Sequence, residues 1–143
     1  MTPATTKPTI VLVPGVFHTP QHFSPLIPHL NGYGYPTTVV SLPSIDSSSP
    51  FDESVSKDSM CVHSILEEFL DEERDIILAA HSYGGLPSCA AAKGLMKSER
   101  EAQGKMGGII AQVYIAAFVA PEGVSLLQLA GGQHAPWIIR NVR

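Results

Sequence analysis

A serine surrounded by small residues is the clearest candidate for covalent chemistry in this chain. Residues 78–85 are LAAHSYGG, so Ser82 follows an apolar run and precedes two glycines. A strand that runs into x-Ser-x-Gly-Gly and then a helix is typical of a nucleophile elbow. The backbone of such a turn is strained, so residues two before and two after must be small, and here they are Ala80 and Gly84. The pattern predicts a nucleophile at Ser82, and an ordinary turn with a capping serine is the alternative.

A second segment could stabilise the negative charge that such a nucleophile creates. Residues 13–18 are VPGVFH, an apolar strand end followed by Pro-Gly. If this strand lies beside the serine strand, its loop can direct a backbone N–H toward the same point. We predict that the N–H groups of Val16 and Tyr83 form a two-donor oxyanion hole. A simple strand-ending turn is the alternative.

A serine hydroxyl also needs a base to accept its proton. Of the six histidines, His134 alone follows the serine turn, so its chain order suits a base, but it lies in a loose segment in which nothing fixes its position. His18 lies in the predicted oxyanion loop and is expected to contact substrate. His18 and His22 are four residues apart, but Pro20 separates them and the glutamate of a zinc-protease helix is missing, so no metal site is predicted. Neither a dinucleotide nor a phosphate-binding loop is present, so we predict no cofactor.

Strand-like and helix-like segments alternate along the chain. The predicted strands cover residues 9–13, 37–42, 75–80 and 109–117, and each is almost entirely apolar. Helices are predicted within residues 20–30, with Leu26 pointing inward, after an N-cap at Asp52, over 86–96 and over 124–129. Residues 97–105 are predicted to be a connection on the surface. Apolar strands alternating with helices indicate a mostly parallel four-stranded sheet covered on both faces, an α/β fold. We expect a flexible tail over 1–8, a core over 9–130 and a loose C-terminal segment over 131–143.

Composition limits the binding partners and the cellular location that can be expected for this protein. The 143 residues suit one domain, and a net charge of −4 gives no reason to expect nucleic acid as a partner. The sequence contains neither a signal-peptide pattern nor an apolar window approaching the roughly 18 residues of a membrane span. Two cysteines are too few for a disulfide framework. These features predict a cytoplasmic protein that does not bind membranes.

Three segments together resemble a known superfamily. They are IVLVPGVFHTPQHFSPLIPHLNGYGYPTTVVSLPS, DIILAAHSYGGLPS and GLMKSEREAQGKMGGIIAQVYIAAFVAPEG. Over about residues 8–135 they resemble the α/β-hydrolase superfamily, and within it the methylesterase and hydroxynitrile-lyase branch, especially its fungal members. The resemblance implies that Ser82 is the nucleophile, that Val16 and Tyr83 are oxyanion-hole positions, and that Phe17 and His18 line the pocket.

The resemblance also implies what lies beyond this sequence. In the superfamily the triad acid and histidine follow two further strands, so we expect a C-terminally truncated fold that lacks its last strands and most of its cap. The expected strand order is second, first, third, fourth. Strand 109–117 would then form a long apolar edge, for which a homodimer is a plausible solution.

Three hypotheses follow from these observations. The first is a serine hydrolase lineage acting on small esters, lactones or thioesters, with a role in fungal secondary metabolism suggested by the resemblance. The second is a catalytically inactive remnant that retains the half-pocket and binds a ligand or a partner chain. The third is a fragment of a longer gene product.

Overall fold

Strands and helices alternate along residues 7–138, which are the residues that the structure, a computed structural model, describes. The elements are β1 Thr9–Val13, α1 Ile27–Gly32, β2 Thr37–Val39, α2 Val55–Asp71, β3 Asp75–His81, α3 Gly85–Ala91, α4 Lys97–Glu101, β4 Gly108–Ile115 and α5 Leu126–Leu129. Short 3-10 helices cover Pro20–Phe23, Pro50–Asp52 and Ser82–Gly84. Most of the predicted tail and the end of the predicted C-terminal segment lie outside the described residues.

The four strands form one parallel sheet in the order β2-β1-β3-β4. This confirms the α/β fold class and the predicted strand order. The chain leaves β1 toward β2 on one side and later returns to β3 on the other side. The carboxyl ends of β1 and β3 therefore flank a topological switch point, which is where open α/β sheets bind ligands.

Helices cover both faces of the sheet, as the apolar strands predict. On one face, alternate strand residues such as Val11 and Leu78 pack in a buried cluster with Val62 and Leu66 of α2. On the other face, the smaller cluster of Ile10, Leu12 and Ala79 packs against Phe23, Leu30, Tyr35, Val39 and Ile77. Burial on both faces explains why the central strands are apolar throughout rather than alternating.

Several details predicted for the first half of the chain differ from the structure. The second strand ends at Val39 rather than at residue 42. The N-cap of α2 is Ser54 and not Asp52, because the Ser54 side chain accepts a hydrogen bond from the backbone of Lys57 while Asp52 belongs to a 3-10 helix. Leu26 is exposed rather than inward, and α1 begins only at the next residue.

The segment after the serine turn is also divided differently from its prediction. The helix predicted over 86–96 ends at Ala91, and a turn follows in which Gly94 has a φ of 77°. The predicted connection after it contains the short helix α4. Positive φ favours glycine, so Gly94 marks the position at which the chain leaves the helical path.

β4 forms one edge of the sheet, and much of it is exposed. Its inner edge pairs with β3 from Asp75↔Gly108 to His81↔Ile115. Ile110, Val113, Tyr114 and Ile115 are between 37% and 45% exposed, although three of them are aliphatic.

Within residues 7–138, no helix is both long and apolar enough to cross a bilayer.

Candidate active site

The backbone of Ser82 is strained. β3 ends at His81, and Ser82 begins a 3-10 helix with a φ of 53°. Non-glycine residues seldom adopt this left-handed conformation, which costs of order 1–3 kcal/mol and persists only where the surroundings enforce it. One such contact is visible, because the Ser82 carbonyl accepts a hydrogen bond of 2.9 Å from the N–H of Phe118.

Glycines allow the loop after β1 to pack directly on this turn. A Cβ placed on Gly15 would lie 2.8 Å from the Cβ of Ser82. A Cβ on Gly84 would lie 2.5 Å from the carbonyl oxygen of Pro14 and 2.6 Å from that of Val13. No side chain fits at such distances, so both positions require glycine. The β1 loop and the serine turn are therefore in contact at the carboxyl ends of the two strands.

A buried carboxylate anchors the side chain that follows the serine. Asp58 of α2 is fully buried and accepts a 2.6 Å hydrogen bond from the Tyr83 hydroxyl. It also accepts bonds of 3.0 Å and 2.7 Å from the backbone N–H and hydroxyl of Ser44. Burial, followed by the hydrogen bond and the charge of Asp58, raises the pKa of Tyr83. The network joins the serine turn to α2 and to the loop after β2.

Asp58 is not among the residues predicted from the sequence. Its signal is present in the chain, because Asp58, Val62, Leu66 and Leu70 repeat every four residues and share the buried face of α2. A carboxylate among apolar residues at helical spacing points inward, and a buried carboxylate needs hydrogen-bond donors.

The imidazole of His18 is oriented by its own loop. Its Nδ1 lies 2.7 Å from the carbonyl oxygen of Val16, and its ring forms edge contacts with His22 and His81 at centroid distances of 4.7 Å and 5.4 Å. A proton on Nδ1 would leave Nε2 as the basic nitrogen. The contact with His81 places His18 beside the serine turn.

The other histidines with described hydrogen bonds use them elsewhere. His22 bonds to Thr19, and His63 bonds to the carbonyl of Ala91. His134 is exposed and lies after α5. None of these bonds joins an imidazole to Ser82. In the part of the chain that is described, no three His, Cys, Asp or Glu side chains are grouped as metal ligands.

A pocket of about 460 Å³ opens beside the turn. Val16, Phe17 and Tyr83 line one side, and the loops that precede α2 line the other. Phe17 is 75% exposed and has a φ of 63°, so its ring stands at the rim on a strained backbone. Three of the predicted site residues, Val16, Phe17 and Tyr83, thus line one pocket, and neither His18 nor Ser82 is among the residues that line it. A second pocket, of about 370 Å³, lies by the amino ends of β3 and β4.

The fold and this arrangement at the carboxyl ends of β1 and β3 are those of an α/β hydrolase. The sequence matches the alpha/beta hydrolase family over residues 10–142, and the chain belongs to that family.

Individual relatives support this assignment. The chain is 32% identical to the alpha/beta hydrolase nvfD of Aspergillus novofumigatus, over 84% of this chain and 47% of that protein. It is 29% identical to the probable hydrolase R7 of a Phoma species, over 90% of this chain and 50% of that protein. A mutant of polyneuridine aldehyde esterase superposes with a TM-score of 0.67 at 20% identity, over 87% and 46% of the two chains, which supports the fold. The chain spans about half the length of the curated relatives it matches.

Proposed function

We propose that this chain carries the nucleophile and oxyanion-hole half of a serine hydrolase site that acts on small esters, lactones or thioesters. The strained backbone of Ser82, packed against the glycine loop after β1, is the observation that carries this proposal. The names of the relatives, an alpha/beta hydrolase and an esterase, agree with it.

The proposed reaction is acyl transfer in two steps. The Ser82 oxygen attacks the substrate carbonyl carbon and gives its proton to a base, while the carbonyl π electrons move to oxygen. The N–H groups of Val16 and Tyr83 would stabilise that oxyanion. The tetrahedral intermediate expels the alcohol or thiol, which takes the proton, and water then hydrolyses the acyl-serine. His134 is the proposed base by chain order, and His18 would contact the substrate.

The surroundings of this reaction are also proposals. The two relatives found by sequence come from Aspergillus and Phoma species, which agrees with the fungal branch of the resemblance, and the proposed role in secondary metabolism rests on that resemblance. Cys61 and Cys89 are both free thiols, which supports the cytoplasm as the location.

Hydrolysis of p-nitrophenyl acetate tests the proposal. We expect turnover that Ser82→Ala abolishes and that Ser64→Ala, on the exposed face of α2, leaves unchanged. His134→Ala, measured in parallel, is expected to lower kcat more than it changes KM. Turnover that survives Ser82→Ala would place the chemistry elsewhere.

A second candidate is a binding protein that uses the same pocket without catalysis. The observation that favours it is that the described histidine hydrogen bonds do not reach Ser82. If p-nitrophenyl acetate is not hydrolysed and small ligands still bind, this candidate replaces the first.

The exposed edge of β4 supports a proposal about assembly. Its outer backbone groups and four exposed large side chains would be covered by β4 of a second copy, in antiparallel register about a two-fold axis. The proposed partner is thus a second copy of this chain, with which it would form a homodimer.

A further inference from the structure

We propose that the backbone N–H of Phe118, in the loop after β4, orients and polarises the Tyr83 N–H that is proposed for the oxyanion hole. Phe118 is thus a positioning residue, which acts through the peptide unit between Ser82 and Tyr83 and does not itself contact substrate. The catalytic consequence rests on the proposed function, whereas the orientation of the Tyr83 N–H does not.

Backbone strain is one feature that distinguishes the loop after β4. In the described part of the chain, five non-glycine residues have a positive φ. Four of them, Phe17, Asp46, Ser82 and Ala116, each lie between the carboxyl end of a strand and the next α-helix, and their φ values range from 43° to 63°. Strain of this kind is concentrated at functional sites, where the surroundings enforce it. Ala116 therefore marks the loop after β4 as a candidate part of the site.

The loop after β4 packs directly on the serine turn. The N–H of Phe118 donates a 2.9 Å hydrogen bond to the Ser82 carbonyl, which also accepts a bond from the N–H of Gly85. A side chain on Gly85 would overlap the carbonyl oxygen of Phe118 and lie 3.1 Å from the Cβ of Ala117, so the loop can reach the turn only because Gly85 has none. The Gly85 bond is local to the turn, whereas the Phe118 bond connects the turn to β4.

The Ser82 carbonyl and the Tyr83 N–H belong to one planar peptide unit. The described peptide bonds are all trans, and in a trans peptide these two groups point in opposite directions. A donor that fixes the carbonyl therefore also fixes the N–H, which points away from the loop after β4. On the other side of β3 lies β1, whose loop contains Val16, the second proposed oxyanion donor.

The same hydrogen bond affects the strength of the Tyr83 N–H as a donor. Hydrogen bonds in a chain polarise one another, so a peptide whose carbonyl accepts a bond donates more strongly through its N–H. Within residues 7–138, the Tyr83 N–H donates to no backbone carbonyl of another segment. Its side chain is held separately, because the hydroxyl donates a 2.6 Å bond to Asp58. The N–H is thus oriented, polarised and available for an oxyanion.

Replacement of one backbone amide by an ester tests the inference without changing any side chain. A synthetic peptide of residues 89–143 can be joined to residues 1–88 at the native Cys89, and phenyllactic acid in place of Phe118 removes its N–H. The matched control carries the corresponding hydroxy acid in place of Val119, whose N–H donates no hydrogen bond in the part of the chain that the structure describes. The all-amide chain, assembled in the same way, is the reference.

Amide NMR resonances report the orientation whether or not the chain is an enzyme. In the all-amide protein we expect the Phe118 N–H to be protected from hydrogen exchange and the Val119 N–H to exchange rapidly. The Phe118 ester should shift the Tyr83 amide nitrogen upfield, because its peptide is less polarised, and the Val119 ester should leave it unchanged. An unprotected Phe118 amide, or a Tyr83 resonance that moves no more in the Phe118 ester than in the Val119 ester, would overturn the inference.

Hydrolysis of p-nitrophenyl acetate measures the catalytic consequence. Because the oxyanion forms only as the reaction proceeds, the Phe118 ester should lower kcat roughly fivefold and leave KM unchanged. The Val119 ester should change neither constant. Titration of the reactive serine with a fluorophosphonate corrects each kcat for unfolded protein, so a purely structural effect of the ester would leave the corrected kcat unchanged.

The inference and the proposed function can fail separately. If the all-amide chain does not hydrolyse the ester, the hydrolase proposal fails, and the NMR resonances alone decide whether Phe118 orients Tyr83. If the all-amide chain is active and the Phe118 ester has the same corrected kcat, the inference fails and the hydrolase proposal stands.

Discussion

The carboxyl ends of β1 and β3 and the outer edge of β4 are built in opposite ways. At the first, two glycines allow the loop after β1 to pack directly on the serine turn, and a buried carboxylate receives three hydrogen bonds. At the second, an apolar strand is exposed along one side. Close packing can fix the position of a hydroxyl group, whereas an unpaired strand edge does little to fix the position of the groups near it. Packing therefore fixes the position of Ser82. Its deprotonation is a separate matter, because none of the described histidine hydrogen bonds reaches it.

The largest of the predicted effects is expected at Gly84, where a side chain would meet the backbone of the loop after β1. Gly84→Ala would place a methyl group 2.5 Å from the Pro14 carbonyl oxygen, and backbone cannot move aside as a side chain can. We expect the free energy of unfolding, measured in urea, to fall by about 3 kcal/mol. Gly32→Ala is the control, because its methyl group would contact nothing within 4 Å, and a change within about 0.5 kcal/mol is expected. Equal effects of the two changes would contradict the account of the turn.

The next effect concerns the buried network. Asp58→Ala would leave the Tyr83 hydroxyl and the donors of Ser44 without their acceptor. We expect a loss of about 2 kcal/mol in the free energy of unfolding. Asp71→Ala, at the exposed end of the same helix, should be close to neutral. A neutral Asp58→Ala would mean that the network does not hold the turn.

A pH effect follows from the same contact. Because the pKa of Tyr83 is raised in the folded state, its hydroxyl stays protonated where an unfolded tyrosine ionises. Stability from this group is therefore complete below the unfolded pKa of about 10 and is lost as the pH rises through the higher folded pKa. We expect Tyr83→Phe to reduce the decline in thermal stability above about pH 10. An identical decline in both proteins would contradict the raised pKa.

The smallest effect on stability is expected at the open edge. Val113→Lys replaces an exposed apolar side chain, so the free energy of unfolding should change by less than about 0.5 kcal/mol. The proposed dimer should nevertheless dissociate, because a charge would enter its centre. Sedimentation velocity over a range of concentrations measures this, with Met60→Lys on the exposed side of α2 as the control. If the wild-type chain is monomeric throughout, the dimer proposal is wrong.

The sequence predicted those features that depend on neighbouring residues. Apolar runs located the four strands, and their alternation with helices led to the parallel sheet. Small residues around Ser82 indicated a strained turn because the steric condition is local. Asp58 could not be placed in the same way, since its contact with Tyr83 joins residues 25 apart and depends on how α2 packs. The cap of α2 was displaced by two residues because Asp52 and Ser54 are both good N-cap residues and only the geometry distinguishes them.

The proposed function requires that Ser82 is a reactive nucleophile. Incubation with a fluorophosphonate probe, followed by mass spectrometry of the labelled peptide, tests it directly. We predict a single adduct on Ser82, absent from Ser82→Ala and retained in Ser64→Ala. A protein that stays folded and unlabelled, or an adduct on another residue, would contradict it.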